Sequence, residues 1–393
     1  MKIALISIPT PTFNNRGAAS ALPYHIIKGA GKKATFEVWT YNSNHVSADE
    51  VEETERALGV RVHVMRQPRW MAWMFKLRLA VLRVLLRYPY LRYLRLGDKA
   101  LASIIEYAPD MVWIYGEETA CFSRLFPDKP CVVTMPDCES LHYHRLLSKD
   151  FATLSLPQVM RYAVAFWQYR GMERDMRRYK ATFHFVGRQD AAFFCEVCPE
   201  AKVVFLPHPL YAHRDKAIRF HKPMIRLLFA GRYDFYCQHG SDRLLEAMMT
   251  ADDLKNRYAV TFLGKGWETW AARLANAGWT CQHIGFAPDY IEELQRHDIQ
   301  VNAIDVGTGT KGKVLDAISN GLLVMGTSLA LENIAVTPNE SCVLFNNPSE
   351  AIAVLSDIPG NMAKYEAMAV RGRAAVLKEH DAAKCARELF GLN

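Results

Sequence analysis

Gly307-Thr308-Gly309-Thr310-Lys311-Gly312-Lys313-Val314-Leu315-Asp316-Ala317-Ile318 is the stretch whose reading decides the fold. It is a small-residue turn, two lysines, and then an amphipathic helix that carries an acid. Three glycines let backbone N–H groups approach an anion without interference from Cβ atoms. The first turn of a helix leaves its own N–H groups unpaired, with partial positive charge behind them. With the charges of Lys311 and Lys313 these parts make a diphosphate cradle. Asp316, one turn in, is placed to accept hydrogen bonds from the hydroxyls of a ribose. The competing reading is a glycine-rich strand-to-helix turn with two solvated lysines. The flanks bear on the choice. Residues 298–303 read as a short strand, and Gly321 to Thr327 as a buried strand opened and closed by glycine. Strand, loop, helix, strand is a βαβ unit, and such sheets bind ligands at the carboxyl ends of their strands.

Outward from this unit the same alternation continues. Ile225 to Arg232, Tyr258 to Leu263 and Cys281 to Phe286 read as strands. Helices are expected over 241–249, 267–277 and 290–296. In the other half, strands are expected at Met1 to Ile8, Phe36 to Tyr41, Met111 to Tyr115, Cys131 to Met135, Phe183 to Gly187 and Val203 to Pro207. A proline-containing, aperiodic connector, 207–223, separates the halves. The expected organisation is an N-terminal domain over 1–206, a linker over 207–223, and a C-terminal domain over 224–375. A last helix, 376–393, is expected to pack back towards the N-terminal domain. Two α/β domains with parallel sheets facing across a cleft accommodate 393 residues, too many for one core.

Nine scattered cysteines form no zinc pattern; Cys195 and Cys198 are a lone C-x-x-C pair. The first eight residues are too short for a secretory apolar core and read as a strand. No apolar run is long enough to span a bilayer. A cytoplasmic protein is expected, resting at most on the inner face of the membrane. The net charge is +7. Much of it lies in 66–99, where Arg66, Arg69, Lys76, Arg78, Arg83, Arg87, Arg92, Arg95 and Lys99 face one acid, Asp98. Trp70, Trp73, Leu77, Leu85, Tyr90 and Tyr93 are interleaved, a mixture suited to the headgroup layer of an anionic membrane. A core helix with a basic edge and a nucleic-acid surface are the alternatives, although no nucleic-acid motif accompanies the stretch and no nucleic-acid partner is expected.

In the N-terminal half, Gly17 would let the loop after the first strand approach a sugar phosphate. The sequence there is not G-x-G-x-x-G, which counts against a nicotinamide or flavin enzyme. Asp137, just past a strand end, is the best-placed carboxylate. Ser140, His142 and His144 follow it with groups able to grip hydroxyls or move protons. Asp137 or Ser140 as a helix cap is the structural alternative.

These residues resemble a known family. Phe229-Ala230-Gly231-Arg232, Phe262-Leu263-Gly264-Lys265-Gly266, Ile284-Gly285-Phe286-Ala287-Pro288 and the Gly307 to Ala317 run followed by Asn320-Gly321 are similar to the nucleotide-sugar domain of the group 1 retaining glycosyltransferases of the GT-B fold. Asp137-x-x-Ser140 resembles a short acceptor-half motif of some members. The resemblance is strong over 225–330 and weak before 130. It implies a metal-independent, hexosyltransferase-type enzyme using a UDP or GDP sugar, with no further cofactor. It implies that Gly231, Arg232, Gly264, Phe286, Thr308, Gly309, Thr310, Lys311, Lys313 and Asp316 bind that donor. Asp137, Arg232 and Lys311 are the expected catalytic groups. The acceptor expected is a saccharide, carried on a lipid, in surface-polysaccharide assembly. Two departures stand out: of the family's paired glutamates, Thr308 occupies the first place and Asp316 the second, and His239 precedes Gly240 where a lysine is usual. A GT-B nucleotide-sugar epimerase and a non-catalytic nucleotide-sugar binder are the rival functions.

Overall fold

Runs of buried β-branched and aliphatic residues, separated by helical segments, build two wholly parallel sheets. The computed structural model describes residues 1–15, 19–70, 73, 83–149 and 154–392. The chain divides into two compact units, Met1–Tyr211 with Ala382–Asn393, and Ala212–Asp381.

The first unit holds β1 (Lys2–Ser7), β2 (Thr35–Thr40), β3 (Arg61–Val64), β4 (Met111–Tyr115), β5 (Cys131–Met135), β6 (Thr182–Phe185) and β7 (Lys202–Phe205). Their order is β3-β2-β1-β4-β5-β6-β7. Ile3, Ala4, Leu5 and Ile6 are fully buried. Alternate residues feed different cores, as a strand covered on both faces requires. Ala4 and Ile6 join Val112, Ile114 and Val133 on one face, while Ile3 and Leu5 join Trp113, Val38 and Phe36 on the other.

The second unit holds β8 (Ile225–Ala230), β9 (Tyr258–Leu263), β10 (Thr280–Ile284), β11 (Ile299–Asn302), β12 (Leu323–Gly326) and β13 (Val343–Leu344), in the order β10-β9-β8-β11-β12-β13. Each sheet reverses its direction of winding once, between β1 and β4 and between β8 and β11. The crevice at the carboxyl ends of such a strand pair is where open α/β sheets take ligands.

Residues 212–222 are anchored to the second unit. The Arg214 N–H donates to Asn320 Oδ1 (3.0 Å), Lys216 Nζ to the His297 carbonyl (2.7 Å) and the Phe220 N–H to Glu366 Oε1 (2.9 Å). The helix Met362–Glu379 ends at His380, and a separate helix, Ala382–Phe390, belongs to the first unit. The Phe390 ring lies 5.1 Å from that of Trp113 and 5.6 Å from that of Phe36. Gly17 lies outside the described residues, as do 71–72 and 74–82 of the basic stretch. Among the described residues, no helix is long and apolar enough to cross a membrane.

Candidate functional site

The two strands at the crossover of the second sheet end in the two segments singled out by their glycines and lysines. Strand β8 ends at Ala230 and passes into Gly231, whose φ of +102° is strained for any side chain. A Cβ on Gly231 would stand 3.1 Å from Lys313 Nζ. The Gly231 carbonyl accepts the Trp267 indole N–H at 2.8 Å. It also passes so near Gly264 that a Cβ there would lie 2.4 Å from the oxygen. Backbone therefore packs on backbone beneath the space that Lys313 reaches.

Strand β11 leads into the Gly307 to Lys311 loop and the helix Gly312–Ser319. The two lysines have different environments. Lys311 Nζ donates to the carbonyls of Thr308 (2.7 Å) and Gly309 (2.8 Å), knotting its own loop. Lys313 runs from the first turn towards Gly231. Burial pulls its pKa down, opposed by the nearby Cys237 and Asp234. A half-buried ammonium beside a glycine, at a helix N-terminus whose first N–H groups lack intrahelical partners, is an arrangement that can take an anion. Asp316 sits one turn on and is half-buried. Burial pushes its carboxyl up to about 7; the Tyr290 hydroxyl is likewise raised, by burial first and by Asp316 second.

Arg232 is exposed next to Gly231, and His239 is exposed at the start of the helix Gln238–Met249. Phe286 is 79% exposed after β10, so its ring is open to a flat partner. Thr308 and Thr310 are half-buried in the loop. The second unit thus brings Gly231, Arg232, Gly264, Thr308, Gly309, Thr310, Lys311, Lys313 and Asp316 to the carboxyl edge of one sheet.

In the first unit the corresponding edge is lined by acids. Asp137 follows β5 and is half-buried. Its turn is held from behind by two buried carboxylates. Glu173, on the helix Leu156–Asp175, accepts the Ser140 N–H (3.1 Å), the Ser140 hydroxyl and the Cys138 thiol (3.5 Å). Asp190 accepts the Cys138 N–H at 2.9 Å. The Ser140 hydroxyl is thereby committed to Glu173. His142 is half-buried one helical turn beyond Cys138, and His144 is exposed, its ring 5.6 Å from that of Phe193.

Three further acids here escaped the sequence reading as site residues. Glu117, two residues past the end of β4, is 4% exposed, and neither carboxyl oxygen has a hydrogen-bond partner among the described residues. Burial, reinforced by Glu173 and Glu118, raises its pKa well above the carboxylate range. Glu139 is pushed up to about 8 by burial and then by Asp137. Glu173 is raised by burial and held back by its hydrogen bonds to Ser140 and Cys138. At neutral pH some of these carboxyls carry protons, because like charges in a poorly solvated site cannot all ionise. Such a set can accept a proton or exchange one with a bound hydroxyl. The signal for Glu117 was an acidic pair just after an apolar strand. Glu173 gives none, being one acid within a long helix. Among the described residues no group of three or more His, Cys, Asp and Glu could hold a metal ion.

Residues 241–391 match the family model described as "Glycosyl transferase-like". No curated protein matches the chain by sequence. Solved structures match over the whole length. HepE (Alr3699) from Anabaena, crystallised with UDP-glucose, aligns with a TM-score of 0.62 at 13% identity, covering 99% of this chain and 98% of that one. Sucrose-phosphate synthase from Thermosynechococcus elongatus aligns with a TM-score of 0.67 at 13% identity, covering 100% and 98%. The E. coli trehalose-6-phosphate protein bound with UDP-2-fluoro glucose aligns with a TM-score of 0.59 at 11% identity, covering 100% and 98%. The fold is GT-B, with a glycosyltransferase-like domain in its C-terminal part.

Proposed function

We propose that this protein transfers a hexosyl group from a nucleoside-diphosphate sugar, of the UDP or GDP type, to a hydroxyl of a saccharide acceptor, with retention of configuration. The observation that carries this reading is Lys313 beside Gly231, with Asp316 one turn further on, at the crossover of the second sheet. In that reading the diphosphate lies over Gly231 and the N-terminus of the helix Gly312–Ser319. The ribose hydroxyls donate to Asp316, and the base lies against the exposed Phe286. When the sugar C1–O bond breaks, negative charge grows on the departing diphosphate. Lys313, Arg232 and the helix N–H groups meet that charge as it develops and so favour the transition state over the ground state. No metal is needed for this neutralisation. Lys311 fixes the loop through its bonds to Thr308 and Gly309.

On the acceptor side Asp137 orients the attacking hydroxyl and receives its proton, with Glu139 beside it. Glu173 and Asp190 act through Cys138 and Ser140 as positioning residues. The hydroxyl attacks from the face the diphosphate leaves. The basic stretch supports an acceptor carried on a lipid at the cytoplasmic face of a membrane, as in assembly of a surface polysaccharide. In that stretch Trp73 is 58% and Leu85 78% exposed.

The test is a thermal-shift panel of UDP, GDP, ADP and CMP sugars, followed by nucleotide release with the best of them. A donor at about a hundredfold excess over its Kd stabilises by roughly 2.7 kcal/mol, a readily seen shift. Release that rises on adding a saccharide or lipid-linked acceptor supports transfer. Release or isomerisation of the sugar without acceptor would favour an epimerase or hydrolase instead.

A further inference from the structure

The helix Leu156–Asp175 carries an apolar stripe open to solvent. Leu156 is 73% exposed, Met160 62% and Trp167 66%. At 3.6 residues per turn these three fall within about 40° of one another around the helix. Gln168, next to Trp167, donates to the carbonyls of Arg83 and Leu86, both at 2.7 Å. The turn holding Val84 (51% exposed) and Leu85 (78% exposed) is thereby fixed to the same helix, about 100° round from Trp167. Two elements far apart in sequence thus carry exposed apolar side chains and are tied together through Gln168.

Along this helix and the turn that follows it, the exposed charges have one sign. Over residues 154–180 the exposed charged residues are Arg161, Arg174, Arg177, Arg178 and Lys180. The two acids of that span are engaged: Glu173 is buried against Ser140, and Asp175 accepts the Tyr88 hydroxyl and lies 3.7 Å from Arg87. A second copy of this chain docked face to face would set arginine against arginine, which disfavours self-association here. An anionic lipid surface complements both features. Arginines meet headgroups, and Trp167, Met160 and Leu85 enter the boundary below them.

We propose that the face formed by Leu156, Met160 and Trp167 with Val84 and Leu85 is a docking surface for an anionic lipid bilayer. This deepens the reading of a lipid-linked acceptor and extends the contact from the basic stretch to a helix whose other side holds the Asp137 turn through Glu173. Membrane contact and acceptor-side carboxyls then share one helix.

The experiment is co-sedimentation of the full-length protein with vesicles of phosphatidylcholine alone, or with about one third phosphatidylglycerol, at low and high salt. Wild type is expected to pellet with the anionic vesicles, less so in high salt, and to ignore the neutral ones. Met160→Glu and Trp167→Glu should each weaken partitioning by about tenfold or more, the worth of one large apolar side chain with a charge put in its place. Circular dichroism melts and UDP titrations of the variants should match wild type. Unchanged vesicle binding in both variants, or wild type ignoring anionic vesicles, overturns the proposal. So would a wild-type dimer in ultracentrifugation that Trp167→Glu converts to monomer. Loss of nucleotide binding in every form with vesicle binding intact would instead overturn the transferase reading and leave this surface standing.

Discussion

Asp316 and Lys313 carry opposite burdens in the free protein. Burial raises the Asp316 carboxyl to about 7, above the unfolded value of about 3.9. The fold therefore favours its protonated form. That stabilisation is complete below about pH 4 and is lost as pH rises through the folded value near 7. Asp316→Asn, which needs no ionisation, should gain stability relative to wild type between pH 5 and pH 8, measured by urea denaturation at each. Nucleotide affinity of wild type should rise over the same window, because the ribose hydroxyls donate best to the ionised carboxylate. The Asn variant should bind weakly and without that pH dependence. A parallel pH profile for both proteins would remove Asp316 from the ribose site. Lys313→Ala should cut turnover by roughly a hundred- to a thousandfold, the scale of losing one donor to a developing oxyanion. Gly231→Ala combines a strained φ with a Cβ at 3.1 Å from Lys313 Nζ. It should lower stability by about 1–2 kcal/mol and weaken nucleotide binding as the ammonium is displaced. Full nucleotide affinity in Gly231→Ala would mean that Lys313 does not need that path.

At the scale of elements, legibility followed burial and continuity. The strands β1, β4, β5, β8, β9 and β12 are apolar runs bounded by turn residues, and the sequence declares them. Strand β3 was missed because Arg61 and His63 interrupt its apolar residues, as suits an edge strand. Strand β13 has only two residues and takes its place by pairing with β12. The Gly307 to Asp316 segment stood out in the sequence because its glycines, lysines and acid are contiguous. The acidic edge of the first sheet was not, because Glu117, Glu139 and Glu173 come from three separate segments and meet only through the order of β4 and β5 and the return of the helix Leu156–Asp175. The hold on the Asp137 turn belongs to that assembly. Glu173→Ala would leave the Ser140 N–H and hydroxyl without their acceptor, at a cost of about 2–4 kcal/mol in denaturation measurements. Glu173→Gln, which keeps an acceptor oxygen, should recover most of the stability. It should also shift the acid limb of the pH–rate profile, because the Glu173 charge helps raise Glu139. A profile unmoved in Glu173→Gln would make the residue purely structural.

At the scale of the molecule, the prolines and lack of period of 207–223 read as a linker, whereas the chain divides after Tyr211 and 212–222 goes with the second unit. That attachment was not legible. Asn320, His297 and Glu366 anchor 212–222 to the second unit through single side chains and carbonyls that no local pattern announces. The last helix returns to the first unit through Cys385, Ala386, Leu389 and Phe390, all buried. Ending the chain after Asp381 should therefore expose Trp113 and Phe36 and make the first unit protease-sensitive, while cleavage within 212–381 stays slow. Equal sensitivity of both units would contradict that division. The central claim is that the second unit binds a nucleoside diphosphate through Lys313 and Asp316. Calorimetric titration of UDP and GDP into full-length wild type, Lys313→Ala and Asp316→Asn tests it most directly. The account predicts saturable binding of at least one nucleotide to wild type, weakened by about tenfold or more in each variant, a step worth roughly 1.4 kcal/mol. Equal affinity in all three proteins, or no binding of either nucleotide to wild type, would contradict it.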